Sequence, residues 1–151
     1  MLTTLKLIFS ELRSWLCIAA KLSFAVRILF AGCLFIATAN HIRTDVSHGL
    51  LWDYGYGPDT YLASRIFWGA LTFFDPFAAL LLFIKPRAGI VLTVAIILVD
   101  VIHNTFYVAL KQQWLELFYL SQVAFLIVVF LLSPIAWNGP IRVSVRRRHL
   151  P

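Results

Sequence analysis

Between Trp68 and Asn104 the chain reads WGALTFFDPFAALLLFIKPRAGIVLTVAIILVDVIHN, two long apolar runs joined at Lys85-Pro86-Arg87-Ala88-Gly89. Each run carries one aspartate, Asp75 in the first and Asp100 in the second. Runs of about 20 apolar residues match the thickness of a bilayer core, and only a helix or a closed barrel pairs every backbone polar group there. An aspartate at that depth is expensive. It therefore faces a protein interior, either as a polar packing contact or as part of a functional pathway.

The remaining sequence agrees with a membrane chain. Of 151 residues 61% are hydrophobic and 13% charged, with a mean hydropathy of +0.85, well outside the range of soluble domains. The expected fold class is an all-α membrane protein, a four-transmembrane-helix bundle with an N-terminal amphipathic interfacial helix, all in one domain. Leu5, Ile8, Phe9, Leu12 and Leu16 recur against Lys6, Ser10, Glu11, Arg13 and Ser14, which describes a surface helix over residues 1–20. The four spans are expected at 22–41, 61–84, 88–110 and 115–132.

The first two spans are joined by a loop holding Trp52, Tyr54 and Tyr56, with turn chemistry at Gly55-Tyr56-Gly57-Pro58. Its aromatic density places it against the headgroup layer or over the helix ends. Pro134 and Gly139-Pro140 are expected to break the fourth helix, leaving residues 133–151 as a basic tail that includes Arg142, Arg146, Arg147 and Arg148. Ala37-Thr38-Ala39 resembles a cleavage site and Phe30-Ala31-Gly32-Cys33 an acylation site. Both lie at or beyond the usual length limit and apolar residues continue past Cys33, so cleavage is not expected. Cys17 and Cys33 sit about four and a half turns apart on one helical segment and cannot pair.

The net charge of +6 belongs to topology. With four spans, Lys6, Arg13, Lys21, Arg27, Lys85, Arg87 and the tail arginines share one side, and Arg43, Arg65 and Lys111 take the other. Both termini are therefore expected in the cytoplasm, with Arg27 snorkelling to that interface. These basic residues flank apolar spans and form no separate domain, so they speak for membrane lipids as partners and against nucleic acid.

Polar residues on the spans fall into stripes. Asp100, His103, Asn104, Tyr107 and Lys111 follow helical spacing on the third span, as do Arg65, Trp68, Thr72, Asp75 and Ala79 on the second. His41 lies on a stripe of the first span with Arg27 and Thr38, and Gln122 on one of the fourth with Tyr119. Counted from the Pro86 turn, Asp75 and Asp100 differ in depth by about one helical turn. The stripes can converge on one interior seam, whose candidate ligand or proton residues are Asp75, Asp100, His103, Asn104, His41, Gln122 and Arg65.

Each residue also has a structural reading. Asp75 before Pro76 matches a helix N-cap with proline at the first helical position, so the second span either breaks there or turns Asp75 toward Asp100. Asp100 with His103 is a core contact or a proton-handling pair, and Asn104 and Gln122 serve as interhelical hydrogen-bond donors and acceptors. Asp100 and His103 with Asp75 or His41 would supply three ligands to a metal, although no second pair with ligand spacing exists and no metal site is assigned. His41 and His103 as axial ligands would suit a haem. No Ser/His/Asp triad, phosphate-cradling glycine loop or CxxC motif occurs, which disfavours hydrolase and nucleotide-driven chemistry and leaves enzymatic activity unassigned.

Arg27 leads into a Gly-containing first span, Asp75 precedes the aliphatic run Ala78 to Phe83, Lys85 to Arg87 make a short basic turn, and the third span ends in His103-Asn104. In these features residues 27–132 resemble the DoxX-like group of small bacterial membrane proteins. The group's second-span acid is generally Glu, whereas here it is Asp75 followed by Pro76. The resemblance implies a four-helix bundle in the bacterial inner membrane, linked in some members to quinone-dependent sulfur oxidation or redox homeostasis. Two functions are expected on these grounds. The first is an accessory or interaction subunit whose seam holds the helices in register while its faces meet another membrane protein or a second copy. The alternative is a binding or redox module for a quinone or lipid, with Asp100 and His103 as proton partner. A small oligomeric transporter is a weaker third, since no inverted repeat is present.

Overall fold

The structure is a computed structural model that describes the backbone of residues 2–137 and the side chains of residues 11 and 14–137. It holds four helices, α1 (Leu2–His48), α2 (Leu62–Ile84), α3 (Pro86–Lys111) and α4 (Leu117–Trp137), and no strand among the described residues. Each helix is long and apolar enough to cross a membrane. α1 packs on α2 and α4, and α3 packs on the same two, so the bundle closes into a ring. The chain is a multi-pass, all-α integral membrane protein.

Packing follows the logic of helices in lipid, where small residues allow close approach and large apolar ones face outward. Ala31, Ala78, Ala79 and Ala136 are buried, whereas Ile36, Phe73, Ile102 and Leu131 are each more than 60% exposed. Phe30, Leu34, Leu82, Ile90 and Val129 fill the centre of the core. α4 is the outermost helix: 6% of its apolar window is buried, against 39% for each of the other three.

The boundaries differ from the expected ones in three places, each for a local reason. α1 runs unbroken for 47 residues through the junction expected near residue 21. Nothing between Leu2 and Ala31 is glycine or proline, so no residue there interrupts the hydrogen-bond ladder. The helix also continues past the expected end at His41 and stops at Gly49, where φ is 92° and the amide bonds the Asp45 carbonyl at 2.8 Å. That left-handed turn suits a residue without Cβ.

Neither Pro76 nor Pro134 ends a helix, since both lie inside continuous α2 and α4. Each removes one backbone donor, a loss that packed membrane helices tolerate. The reading of Asp75 as the cap of a broken helix is thereby overturned, and α4 extends to Trp137 instead of ending near residue 132. Between α2 and α3 only Lys85 is non-helical, with Pro86 opening α3. The expected tail beyond Trp137, and the side chains that made residues 1–10, 12 and 13 amphipathic, lie outside the described residues.

Candidate functional site

The antiparallel register of α1 and α2 sets the site. Thr72 donates to the Asp45 carboxylate at 2.6 Å, and one turn deeper Asp75 Oδ2 stands 3.8 Å from His41 Nε2. Both members of this pair are buried, His41 at 7% and Asp75 at 2% exposure. The other imidazole nitrogen, Nδ1, lies 2.7 Å from the Tyr54 hydroxyl. Tyr54 belongs to the loop, and burial, reinforced by the charge of Asp45, pushes its phenol well above the usual value. With the phenol as donor to Nδ1, Nε2 is the nitrogen that carries hydrogen toward Asp75; with Nδ1–H as donor, Nε2 is an acceptor facing the carboxyl group. Asp75 Oδ1 is buried without a hydrogen-bond partner. A hydroxyl, an imidazole and a carboxylate thus form a file leading from the loop into the membrane interior.

A second network lies between α2, α3 and α4. The Trp68 indole donates to Asn104 Oδ1 at 2.9 Å, which orients the Asn104 amide so that its NH₂ donates to Asp100 Oδ1 at 2.9 Å and to Gln122 Oε1 at 3.0 Å. Asn104 is 1% exposed and has both ends of its amide paired, as burial demands. Ser64 and Tyr107 join α2 to α3 at 2.6 Å, and Thr105 and Tyr119 join α3 to α4 at 2.9 Å.

The loop folds over this end of the bundle. Tyr54 and Tyr56 pack on Trp68 with ring centroids 5.0 and 5.7 Å away, and Tyr56 reaches Tyr107 at 4.7 Å. Burial raises the Tyr56 phenol as well, helped by neighbouring Tyr107. The aromatic density of the loop therefore serves to close the helix ends. Arg65 holds the loop from below by donating to the Pro58 carbonyl at 3.0 Å and the Gly57 carbonyl at 3.4 Å.

Of the seven expected seam residues, five fall into two separate networks. Asn104 bridges Asp100 and Gln122, and His41 meets Asp75. Arg65 is spent on loop carbonyls and stands apart. His103 also leaves the seam: its ring packs among Phe67, Trp68 and Tyr107, and its buried Nε2 has no partner. No hydrogen bond joins it to Asp100 among the described residues. Helical geometry explains this, because i+3 and i+4 fall on opposite sides of residue i, about 60° and 40° away. The shorter offset gave Asn104 the carboxylate. Arg27 does not snorkel; it is 6% exposed and donates to the Ser23 carbonyl at 3.2 Å and hydroxyl at 3.3 Å.

Two contacts escaped the sequence reading, the His41–Asp75 pair and the Tyr54 bond to His41. The signal for the first was the added length of α1, which carries His41 well inside the bundle, and the second depended on the path of an irregular loop. Among the described residues no three His, Cys, Asp or Glu side chains gather closely enough to hold a metal ion, so the three-ligand set does not form. The chain matches no family model, no curated protein and no solved structure.

Proposed function

We propose that this protein is a membrane-embedded binding or redox module that exchanges protons with a small amphipathic ligand of the quinone or lipid class, in the bacterial inner membrane with both termini cytoplasmic. The observation that carries this reading is the buried His41–Asp75 pair, with Tyr54 on one side and the unpaired Asp75 Oδ1 on the other. A buried carboxyl oxygen without a hydrogen-bond partner is costly, and a ligand that donates to Asp75 Oδ1 removes that cost. The proton partner is therefore His41–Asp75, with the Asp100–Asn104–Gln122 network holding α3 and α4 against it. The likeness of residues 27–132 to the DoxX-like group favours a quinone as the ligand.

The test reconstitutes the full chain in lipid vesicles with a ubiquinone analogue and an added dithiol, which becomes a disulfide and supplies the two electrons and two protons for each quinone reduced, and reads protein-dependent quinol formation and retained quinone. Asp75→Asn and His41→Gln are expected to remove at least nine-tenths of either signal while the helical circular dichroism spectrum persists; Asp100→Asn keeps most of it. Equal signals from wild type and both variants sink the proposal.

A second reading, the accessory subunit, is favoured by how little of α4 is fully buried, 6% of its apolar window against 39% for each of the other helices. Under it the seam is a packing device. Gentle extraction then yields a complex with a second membrane protein, or a homo-oligomer, that survives Asp75→Asn and fails when α4 is altered.

A further inference from the structure

At the end of the bundle that carries Lys85 and Arg87, α3 and α4 part to leave a groove of about 350 Å³. Its walls are one face of each helix. Ile90, Val91 and Val94 lie three, four and seven residues beyond Arg87 on α3; Phe130 and Pro134 lie seven and three residues before Trp137 on α4. The hydroxyl of Ser133, also in the wall, is committed to the Val129 carbonyl at 2.6 Å. The interior of the groove is thus hydrocarbon, without a free side-chain polar group to orient a polar ligand. Its mouth differs: the Arg87 guanidinium stands 5.6 Å from the centre of the Trp137 ring. Arg87 and Lys85 are both exposed, and among the described residues neither is paired with a carboxylate.

The seven residues from Arg87 to Val94 span about 10 Å, roughly a third of a bilayer's hydrocarbon core. Tryptophan is the residue of the membrane–water interface, and a polybasic turn attracts anionic lipid. An apolar slot of this depth, opening beneath a tryptophan and two unpaired cations, complements one molecule that has both parts. We propose that the groove holds the upper part of one acyl chain of an anionic glycerophospholipid, with its phosphate on Arg87 and Lys85. This site lies toward the opposite end of the bundle from the aromatic loop and does not depend on the His41–Asp75 pair.

The test uses the full chain in mixed nanodiscs of palmitoyl-oleoyl phosphatidylglycerol and phosphatidylcholine, released into native mass spectrometry. One phosphatidylglycerol per chain is expected to be retained over phosphatidylcholine by about thirtyfold, the preference that two basic side chains at a membrane surface supply. Arg87→Gln lowers that preference to about fivefold, the share of Lys85. Val94→Trp, which fills the slot, lowers retention of both lipids, whereas Ile102→Trp on an exposed face does not. Should Val94→Trp fail to fold, phosphatidylglycerol with a brominated acyl chain provides the second reading: it quenches wild-type fluorescence more than that of Trp137→Phe. Equal retention of the two lipids, or a dimer that disappears in Val94→Trp with no lipid retained, overturns the proposal.

Discussion

His41 and Asn104 show how differently two buried polar side chains can be used. Asn104 is fully paired, so its neighbours are worth little individually. Trp68→Phe removes one interhelical hydrogen bond, and such bonds in membranes contribute about 0.6 kcal/mol on average and about 1.7 at most; it also leaves space where the indole packed against Tyr54, Tyr56 and Tyr107, which adds a cavity cost. A drop in unfolding midpoint in detergent larger than the hydrogen bond alone would give, with quinone turnover retained, is the expected result. His41 faces an incompletely paired carboxylate, and its replacement by Gln acts on turnover more than on stability. The loop tyrosines add a pH dependence. Their folded-state phenols titrate above the ordinary value of about 10, so the stability they contribute is whole below about pH 10 and lost as pH rises through the folded value. Melting followed from about pH 8 to about pH 11 is expected to fall steeply at the alkaline end. In Tyr54→Phe the fall is shallower.

Among the elements, the α2–α3 hairpin was the most legible in the sequence, because Lys85-Pro86 bounds two apolar runs whose lengths leave no other turn. Gly89 completes it by lying so close to α2 that a Cβ would collide with the backbone of Leu81 and Leu82. Gly89→Ala forces the helices apart at their shared end and is expected to cost about 1–3 kcal/mol, as overpacking does in a filled core; thermal unfolding of the solubilised protein reads it directly. Where the reading failed, hydropathy and helix-breaker rules did not carry the deciding information. Pro134 marked a break and Pro76 left one open at Asp75, yet both segments continue as helix. The polar stripes of α2 and α3 were visible from spacing, but the choice of Asn104 over His103 beside Asp100 depended on which flank met Trp68 and Gln122. The partner of His41 depended on where α1 stops, and that was set by Gly49 and not by the last apolar residue.

Across the whole molecule, α1 is longer than any membrane requires: 47 residues make about 70 Å of helix against about 30 Å of hydrocarbon. Part of it therefore lies outside the bilayer core, and Trp15, Leu16 and Ile18 remain uncovered by the other described residues. Trp15→Ser is expected to leave the unfolding midpoint within about 0.5 kcal/mol of wild type, as substitutions away from packed contacts do. α1 and α4 close the ring through packing such as Phe30 on Phe125 and, among the described residues, one hydrogen bond, Ser23 Oγ donating to the Ala136 carbonyl at 2.9 Å across 113 residues of sequence. Translation is directional, and at about 5–20 residues per second the acceptor for Ser23 is made of order ten seconds after its donor. Through that interval Ser23 on the first helix lacks its acceptor on α4, so the ring closes only once the last helix has been made.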